Sequence, residues 1–259
     1  AAARVHHVRA PWIMAKIETK LGVEHFDAIL EVVDGIMLGR GDLGLEIPME
    51  EVPIVQKDLI EKCRKAGKPI IVATHMLDSM ARNPRATRAE VSDVANAVLD
   101  HTDAVMLSAE SASGRYPAAT VQAMAAVIDE AEQSRYDIVD APVTDVDTPA
   151  HALAHSIAVM ASRNIIDAAV TTAEIPDIAF VLPRYRPHVP ILMACPDDDT
   201  ARRVALYAGV IPFVCSSDIG TFVPRSHAFL LKHDLIKARD RVAYVVGGGG
   251  TLSLSLHGG

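Results

Sequence analysis

The chain has 259 residues, half of them apolar, and is long enough to bury one large core or two ordinary ones. Its net charge is −8 and only 4% of its residues are aromatic. This composition excludes a nucleic-acid surface, which needs a stripe of basic residues and aromatic side chains on which bases stack. No apolar run reaches the roughly 18 residues of a membrane helix, and the N-terminus lacks a signal-peptide pattern, so we expect a cytoplasmic protein without a membrane partner. The three cysteines lack C-x-x-C spacing, which indicates buried thiols rather than a zinc site or a disulfide framework.

The first 110 residues alternate short apolar runs with segments of helical period. The runs are continuous rather than alternating, as expected of parallel strands buried on both faces. Their polar ends are 24, 32 and 36 residues apart, close to the ~31 residues per unit of a (β/α)₈ barrel. The predicted strands are Ile13 to Ala15, Gly35 to Leu38, Ile70 to Ala73 and Ala104 to Leu107, and the polar ends are Glu18, Asp42, Thr74 and Glu110.

Helical stripes separate the predicted strands. One stripe closes at Gly67, a typical C-cap, and another opens at Thr87 with Glu90 three residues later, a capping box. A further helix starts at Pro117 and runs to about Glu132. The pattern predicts an α/β fold with four βα units of a TIM barrel over residues 1–133.

The remaining chain predicts a second, smaller α/β domain. Residues 134–150 are acidic and contain prolines without a regular period, which indicates a linker. From 151 to 259 strands and helices alternate again, so we expect an α/β sandwich with a mixed sheet. The predicted strands cover 168–171, 191–194, 210–214, 241–246 and 251–256, and the predicted helices begin at 151 and cover 200–207 and 225–238.

Charged residues follow the first two predicted strands, where barrels of this kind carry their catalytic groups. Lys16 and Glu18 are two residues apart, so both side chains leave the same face of the strand. Glu18 and Asp42 come from adjacent units and offer the two carboxylates that a hard divalent cation such as Mg²⁺ prefers, while Gly41 allows backbone N–H groups to approach an anion. The alternatives are an ordinary salt bridge and turn chemistry around Asp42.

Polar residues also follow the third and fourth strands. Thr74 is either a functional hydroxyl or a β-branched residue that favours strand geometry. Ser108 and Glu110 either point into the same mouth or brace their own loop. His75 has no visible partner in the sequence and is predicted to be structural. The four glycines at 247–250 predict a flexible connection between two strands.

Long motifs in this order closely resemble the pyruvate kinase family. The similarity is strongest from Ile13 to Glu132 and continues more weakly into the C-terminal part, and it implies that the four barrel units are the last four of eight. The motifs are MAKIE at 14–18, DGIMLGRGDLGLEIP at 34–48, VATHML at 72–77 and TRAEVSDVANAVLD at 87–100.

The resemblance implies a glycolytic phosphotransferase that converts phosphoenolpyruvate and ADP to pyruvate and ATP, with Mg²⁺ or Mn²⁺ and usually K⁺. Carried onto this sequence, it makes Glu18 and Asp42 the metal ligands. It makes Lys16 the group that stabilises the transferring phosphoryl group and the developing enolate. It also implies a homo-oligomer, a tetramer in the family, with the K⁺ ligands outside this chain.

Further roles follow from the same resemblance. The backbone N–H groups of Gly41 and Asp42 correspond to those that hold the substrate carboxylate. Thr74 corresponds to a residue close to the methylene that is protonated, and Ser108 and Glu110 to a supporting hydroxyl and carboxylate.

The chain departs from the family pattern beside the site. His75 stands where the family usually has Gln, Ala86 where Pro is common, Gly39 where Ala is usual, and residues 109–111 read AES instead of GET. In the C-terminal part, residues 173–176 read AEIP where many relatives have a Ser- and Gly-containing loop that binds effector phosphate. An acidic residue there repels phosphate, so we expect no sugar bisphosphate at this loop.

Two main interpretations of function remain open, and the long match at residues 87–100 disfavours a third, another barrel enzyme that acts on pyruvate-type enolates. The first is a partial pyruvate kinase chain that is inactive by itself, because the first four strands and the lid domain of the family have no counterpart in the sequence. The second is a non-catalytic regulatory or interaction subunit derived from a pyruvate kinase.

Overall fold

The computed structural model describes residues 11–137, 148–215, 222–248 and 251–257. The chain divides into two compact units, Ala1–Ile138 and Val139–Gly259. Most of the predicted linker, the residues before Pro11 and the middle of the glycine run lie outside the described residues.

The first unit is built on a four-stranded sheet in the order β1-β2-β3-β4, with every neighbouring pair parallel. All four strands coincide with the predicted apolar runs, so the βα repeat and the parallel sheet are confirmed. In the two central strands the continuous apolar pattern arises because residues on both faces are covered. The strands are β1 (Met14–Ile17), β2 (Gly35–Gly39), β3 (Ile70–Ala73) and β4 (Ala104–Met106).

The helices of this unit pack on the sheet, and the first five connect consecutive strands while the last two follow β4. They are α1 (Lys20–Glu24), α2 (Phe26–Val32), α3 (Arg40–Glu46), α4 (Val52–Ala66), α5 (Arg88–Leu99), α6 (Ala109–Ala112) and α7 (Pro117–Glu132). Two predicted boundaries are confirmed. Gly67 ends α4 in the left-handed conformation with φ of 67°, which a side chain would strain. Thr87 caps α5 through its side chain, and Glu90 returns the hydrogen bond to the Thr87 backbone N–H.

The segment around Gly41 differs from its prediction as a turn. Residues Arg40–Glu46 form α3 in spite of two internal glycines, with Gly39 as the N-cap residue. Leu43 explains the difference, because its side chain is fully buried in the core and this tertiary contact outweighs the low helix propensity of glycine. As a result, Asp42 lies in the first turn of a helix.

The core of the first unit lies between the sheet and its helices. Leu59 and Cys63 of α4 are fully buried against Ile36 and Val72 of the strands. Burial raises the pKa of the Cys63 thiol, so this cysteine stays protonated and acts as a packing residue, as its sequence context predicts.

The second unit contains a five-stranded sheet in the order β7-β6-β5-β8-β9. Only the β8–β9 pair is antiparallel, which confirms the predicted mixed sheet. The strands are β5 (Ala168–Thr172), β6 (Ile191–Cys195), β7 (Val210–Val214), β8 (Val242–Gly248) and β9 (Thr251–His257). The helices are α8 (Pro149–Ser162), α9 (Pro176–Ala179), α10 (Asp198–Val204) and α11 (Phe222–Lys232).

Two helices of the second unit differ from their predicted limits. The helix α10 begins two residues early because the Asp197 side chain accepts the Thr200 N–H and caps it. The helix α11 ends at Lys232 rather than at 238, and Asp234 just beyond it has a positive φ of 55°. None of the helices in the described ranges combines the length and the apolarity that crossing a bilayer requires.

Candidate active site

The first two strands of the four-stranded sheet bring one cation and two carboxylates together. Lys16 is in β1, Glu18 directly follows β1, and Asp42 lies in the first turn of α3 after β2. The Lys16 Nζ lies 2.5 Å from Glu18 Oε2 and 3.7 Å from Asp42 Oδ2. The parallel register pairs Lys16 with Met37 of β2, so the residues that follow the two strands open at the same edge of the sheet.

The carboxylate neighbours of Lys16 favour the charged form of its side chain. The hydrogen bond to Glu18 raises the pKa of Lys16 above its ordinary value, and the negative charges of Glu18 and Asp42 add to this rise, while desolvation acts in the opposite direction. Since the ordinary pKa of lysine is already far above neutrality, the side chain carries a full positive charge at pH 7.

Gly39 leaves room for this group of charges. A Cβ atom at position 39 would lie 3.1 Å from both Glu18 Oε2 and Lys16 Cε. The alanine that is usual in the family at this position therefore fits only if Lys16 or Glu18 shifts by a few tenths of an ångström. The chain thus places its lysine and glutamate against the backbone of β2.

The donor set is compatible with a divalent cation. Glu18 and Asp42 both direct an oxygen at one ammonium group, so the two carboxylates already converge on a single positive charge. Oxygen donors of this kind suit Mg²⁺, which usually takes one or two carboxylates and keeps its other positions for water and substrate oxygens. Across the described parts of the chain, no group of three or more His, Cys, Asp and Glu side chains is placed to hold a metal. The two carboxylates would therefore need substrate or water to complete the shell.

Thr74 lies beside this group and contacts the same helix. Its Oγ1 accepts the Gly41 backbone N–H at 2.7 Å and donates to the Ala73 carbonyl oxygen at 2.6 Å. A Cβ atom at position 41 would lie 3.2 Å from both Thr74 Oγ1 and the His75 ring. The close contact between α3 and the end of β3 therefore depends on glycine at position 41.

The backbone after β3 is held in an unfavourable conformation. Thr74 and His75 have φ of 69° and 54°, in the left-handed region. Left-handed backbone costs about 1–2 kcal/mol for each residue with a Cβ. Consecutive residues in this region persist only where surrounding contacts hold them, and such turns cluster at functional sites. His75 itself is exposed.

Glu110 links the loops after β3 and β4. Its carboxylate is buried and accepts the Leu77 N–H at 3.2 Å and the Ser108 N–H at 2.7 Å. Ser108 precedes α6, and its carbonyl oxygen accepts the N–H of Ala112. The geometry shows Glu110 bracing its own loop, which is the second of the two alternatives that the sequence leaves open.

Arg40 is a residue of this region that sequence reasoning missed. Its guanidinium binds Asp93 of α5 and also donates to the carbonyl oxygen of Thr74. The partners lie 53 and 34 residues away along the chain, so no local pattern connects them. The only signal in the sequence is an arginine between two glycines, which is equally typical of a solvated turn.

A cavity of about 630 Å³ lies within the second unit. It is lined by the start of α8, by the loop between β5 and α9, and by residues of β8 and β9, including His151, Glu174, Asp177, Gly247 and Leu252. The size is within the range of small-molecule sites. Glu174 and Asp177 give part of its lining a negative charge.

Comparison with known proteins separates the chain into the same two parts. The family model "Pyruvate kinase, barrel domain" matches residues 4–121, and the model "Pyruvate kinase, alpha/beta domain" matches residues 151–253. A solved pyruvate kinase from Cryptosporidium parvum has a TM-score of 0.83 and 35% sequence identity, and the superposition covers 94% of this chain and 51% of that structure.

Sequence relatives give the same result. The chain is 49% identical over 205 residues to a pyruvate kinase of Staphylococcus haemolyticus (strain JCSC1435), which covers 78% of this chain and 35% of the relative. A Bacillus licheniformis pyruvate kinase is 46% identical over 214 residues, with coverages of 79% and 36%. The chain thus spans about a third of the length of these curated relatives. Because the two family models match both units in family order and the relatives agree over most of its length, the chain belongs to the pyruvate kinase family.

Proposed function

We propose that the chain carries the metal-binding and enolate-stabilising part of a pyruvate kinase active site, for the reaction of phosphoenolpyruvate, ADP and a proton to pyruvate and ATP. The observation that carries this proposal is the Lys16 ammonium between the Glu18 and Asp42 carboxylates, at the strand edge where Thr74 meets Gly41. Family membership supports the reaction type. We also propose that the four-stranded sheet forms the last four βα units of a (β/α)₈ barrel, with domain limits of 1–133 and 151–259 around a linker.

Phosphoryl transfer requires mainly positioning and neutralisation of charge, and we propose that the chain supplies the charge neutralisation and the groups that position phosphoenolpyruvate. Lys16 places a fixed positive charge where the bridging oxygen of phosphoenolpyruvate becomes an enolate as its bond to phosphorus breaks. Glu18 and Asp42 would hold Mg²⁺, which when bound supplies Lewis-acid stabilisation of the same oxygen. The carboxylates also raise the pKa of Lys16, through the hydrogen bond to Glu18 and the negative charges of Glu18 and Asp42.

The end of β3 and the start of α3 would bind the substrate carboxylate and deliver the proton. Gly41 and Asp42 lie in the first turn of α3, where backbone N–H groups favour anions. The Gly41 N–H is donated to Thr74 Oγ1 in this structure, so the carboxylate would take this N–H only by displacing the Thr74 hydroxyl from it. The family resemblance supports a place for the Thr74 hydroxyl beside the enolpyruvate methylene, which takes up the proton. Glu110 supports this arrangement by bracing the loops that follow β3 and β4.

Replacing either metal ligand should weaken metal binding. We expect Glu18→Ala and Asp42→Ala each to lower the affinity for Mn²⁺ by at least about tenfold, because one of only two carboxylates is lost. Isothermal titration calorimetry on the chain, combined with the part of a pyruvate kinase relative that it does not match, measures this without any need for turnover. Glu61→Ala is the matched control, since Glu61 is an exposed carboxylate paired with Lys65 on α4. Unchanged Mn²⁺ affinity in both site variants would exclude the metal assignment.

The cavity of the second unit is proposed not to bind a sugar bisphosphate. The start of α8 contributes about half a positive charge, but the His151 N–H already binds Thr148 Oγ1, and Glu174 and Asp177 add two full negative charges. We therefore expect no micromolar binding of fructose 1,6-bisphosphate by calorimetry. The expectation would be contradicted by micromolar binding that substitutions in residues 171–176 abolish. The control variant Asp199→Ser on α10 should leave such binding intact.

A non-catalytic regulatory subunit is the second candidate function. The two candidates differ in one measurement, which is pyruvate formation by the chain together with the part of a pyruvate kinase relative that the match leaves uncovered. We call this combination the complemented enzyme. Turnover that depends on Lys16 supports the catalytic proposal, and a complemented enzyme that assembles but forms no pyruvate supports the regulatory one.

A further inference from the structure

A buried arginine joins two consecutive βα units beside the candidate active site. The Arg40 side chain is only 10% exposed. Its Nη1 and Nη2 each donate to one oxygen of Asp93 at 2.7 Å, and Nη1 also donates to Gln56 Oε1 at 3.3 Å. The guanidinium therefore holds α3 against α5 through a two-point ion pair, the strongest geometry available to this side chain. The hydrogen bond to Gln56 holds α3 against α4.

The same guanidinium also holds the left-handed turn after β3. Arg40 Nη2 donates to the carbonyl oxygen of Thr74 at 3.0 Å and to that of His75 at 3.4 Å. These are the two consecutive residues with positive φ after β3. The positively charged guanidinium thus donates hydrogen bonds to both carbonyl oxygens of the strained turn. These bonds stabilise the backbone conformation in which Thr74 Oγ1 accepts the Gly41 N–H.

Asp93 keeps the guanidinium in its orientation. A buried charge must be paired, and a bidentate carboxylate fixes the plane of the guanidinium as well as its position. Gln56, which also accepts a hydrogen bond from Arg40, is 1% exposed. Its side chain donates to Oδ2 of Asp100, the C-cap residue of α5, at 2.9 Å, so this partner of Arg40 is held in place as well. The network thus gives Arg40 a single arrangement.

We propose that Arg40, oriented by Asp93, is a positioning residue that sets the Thr74 hydroxyl for the proton-transfer end of the reaction. This inference rests on the proposed function. Arg40 does not touch the reacting atoms, and it acts through the turn of Thr74 and His75. Lysine cannot replace it, because one ammonium group cannot form the two-point ion pair with Asp93 and bind two carbonyl oxygens as well.

The test compares the variants Arg40→Lys and Asp93→Asn in the complemented enzyme, with kcat and KM measured separately. We expect Arg40→Lys to lower kcat by about twentyfold or more and Asp93→Asn by about fivefold or more, with KM for ADP unchanged. Arg241→Lys is the matched control, because Arg241 forms a similar two-point ion pair with Asp167 in the second unit. We expect its kcat to equal that of the parent.

A double-mutant cycle with Thr74→Ala separates positioning from a general structural role. If Arg40 acts through Thr74, then Arg40→Lys should lower kcat by less than about threefold in the Thr74→Ala background. Full additivity of the two changes would overturn the proposal, as would a folded Arg40→Lys variant with a kcat within threefold of the parent. If Arg40→Lys does not fold, the same cycle with the nearly isosteric Asp93→Asn decides.

A second measurement is independent of turnover. In the complemented enzyme, the Gly41 amide proton should exchange with solvent at least about tenfold faster in Arg40→Lys and in Asp93→Asn than in the parent, because the Thr74 hydroxyl no longer holds it. Unchanged exchange would overturn the positioning role. If the parent complemented enzyme is inactive while the exchange result holds, the proposed function fails and the local positioning remains.

Discussion

Lys16→Met in the complemented enzyme is expected to lower kcat by about 10²–10³-fold, with a much smaller rise in KM for phosphoenolpyruvate. The charge that Lys16 neutralises grows as the bond to phosphorus breaks, so its removal raises the free energy of the transition state more than that of the bound substrate. The position of the Lys16 ammonium, which contacts the Glu18 and Asp42 carboxylates, supports this role.

Steady-state kinetics with phosphoenolpyruvate and ADP varied in turn provide the measurement. Methionine keeps the length and the apolar stem of lysine, so the comparison isolates the charge. Lys20→Met is the matched control, because Lys20 is an exposed lysine that pairs with Glu24 on α1. A Lys16→Met variant with the kcat of the parent would remove Lys16 from the mechanism.

The sequence predicted the elements whose signals are local. All four strands of the first unit, the capping box at Thr87 and the C-cap at Gly67 are found as predicted, because each depends on hydrogen bonds or contacts within a few residues. The relation between Lys16 and Glu18 is equally local, since residues two apart on a strand share a face. The family resemblance then gave the candidate roles, which stay proposals for this chain.

The parts that the sequence could not predict depend on contacts between distant segments. Helix α3 forms because Leu43 is buried, which outweighs the glycines that suggested a turn. The Arg40 network joins residues up to 53 positions apart. The left-handed turn at Thr74 and His75 has no local signal either, because neither residue type favours positive φ strongly enough to mark it.

The 259-residue chain alone is expected to form no measurable ATP, although it contains the proposed metal ligands and lysine. Among the described residues, β1 and β4 each pair on one side only, so the four-stranded sheet presents two edges. Unpaired edges favour association with other chains, and a closed barrel would remove them. We therefore expect the chain alone to associate or aggregate in size-exclusion chromatography at neutral pH.

Positioning gives the stronger reason for the absence of turnover. The family resemblance places the groups that bind ADP in the part of pyruvate kinases that this chain does not match, and the chain spans only 35% of its Staphylococcus haemolyticus relative. In-line transfer needs donor and acceptor held together, and effective molarities of about 10⁵ M or more are lost when one partner is not anchored.

A coupled assay for pyruvate, run first on the purified chain and then on the complemented enzyme, measures the difference. Lys16→Met in the complemented enzyme controls for activity carried by the added polypeptide. Turnover by the chain alone within about tenfold of the complemented enzyme would contradict the expectation, because it would mean that the matched third of the family's length already positions both substrates.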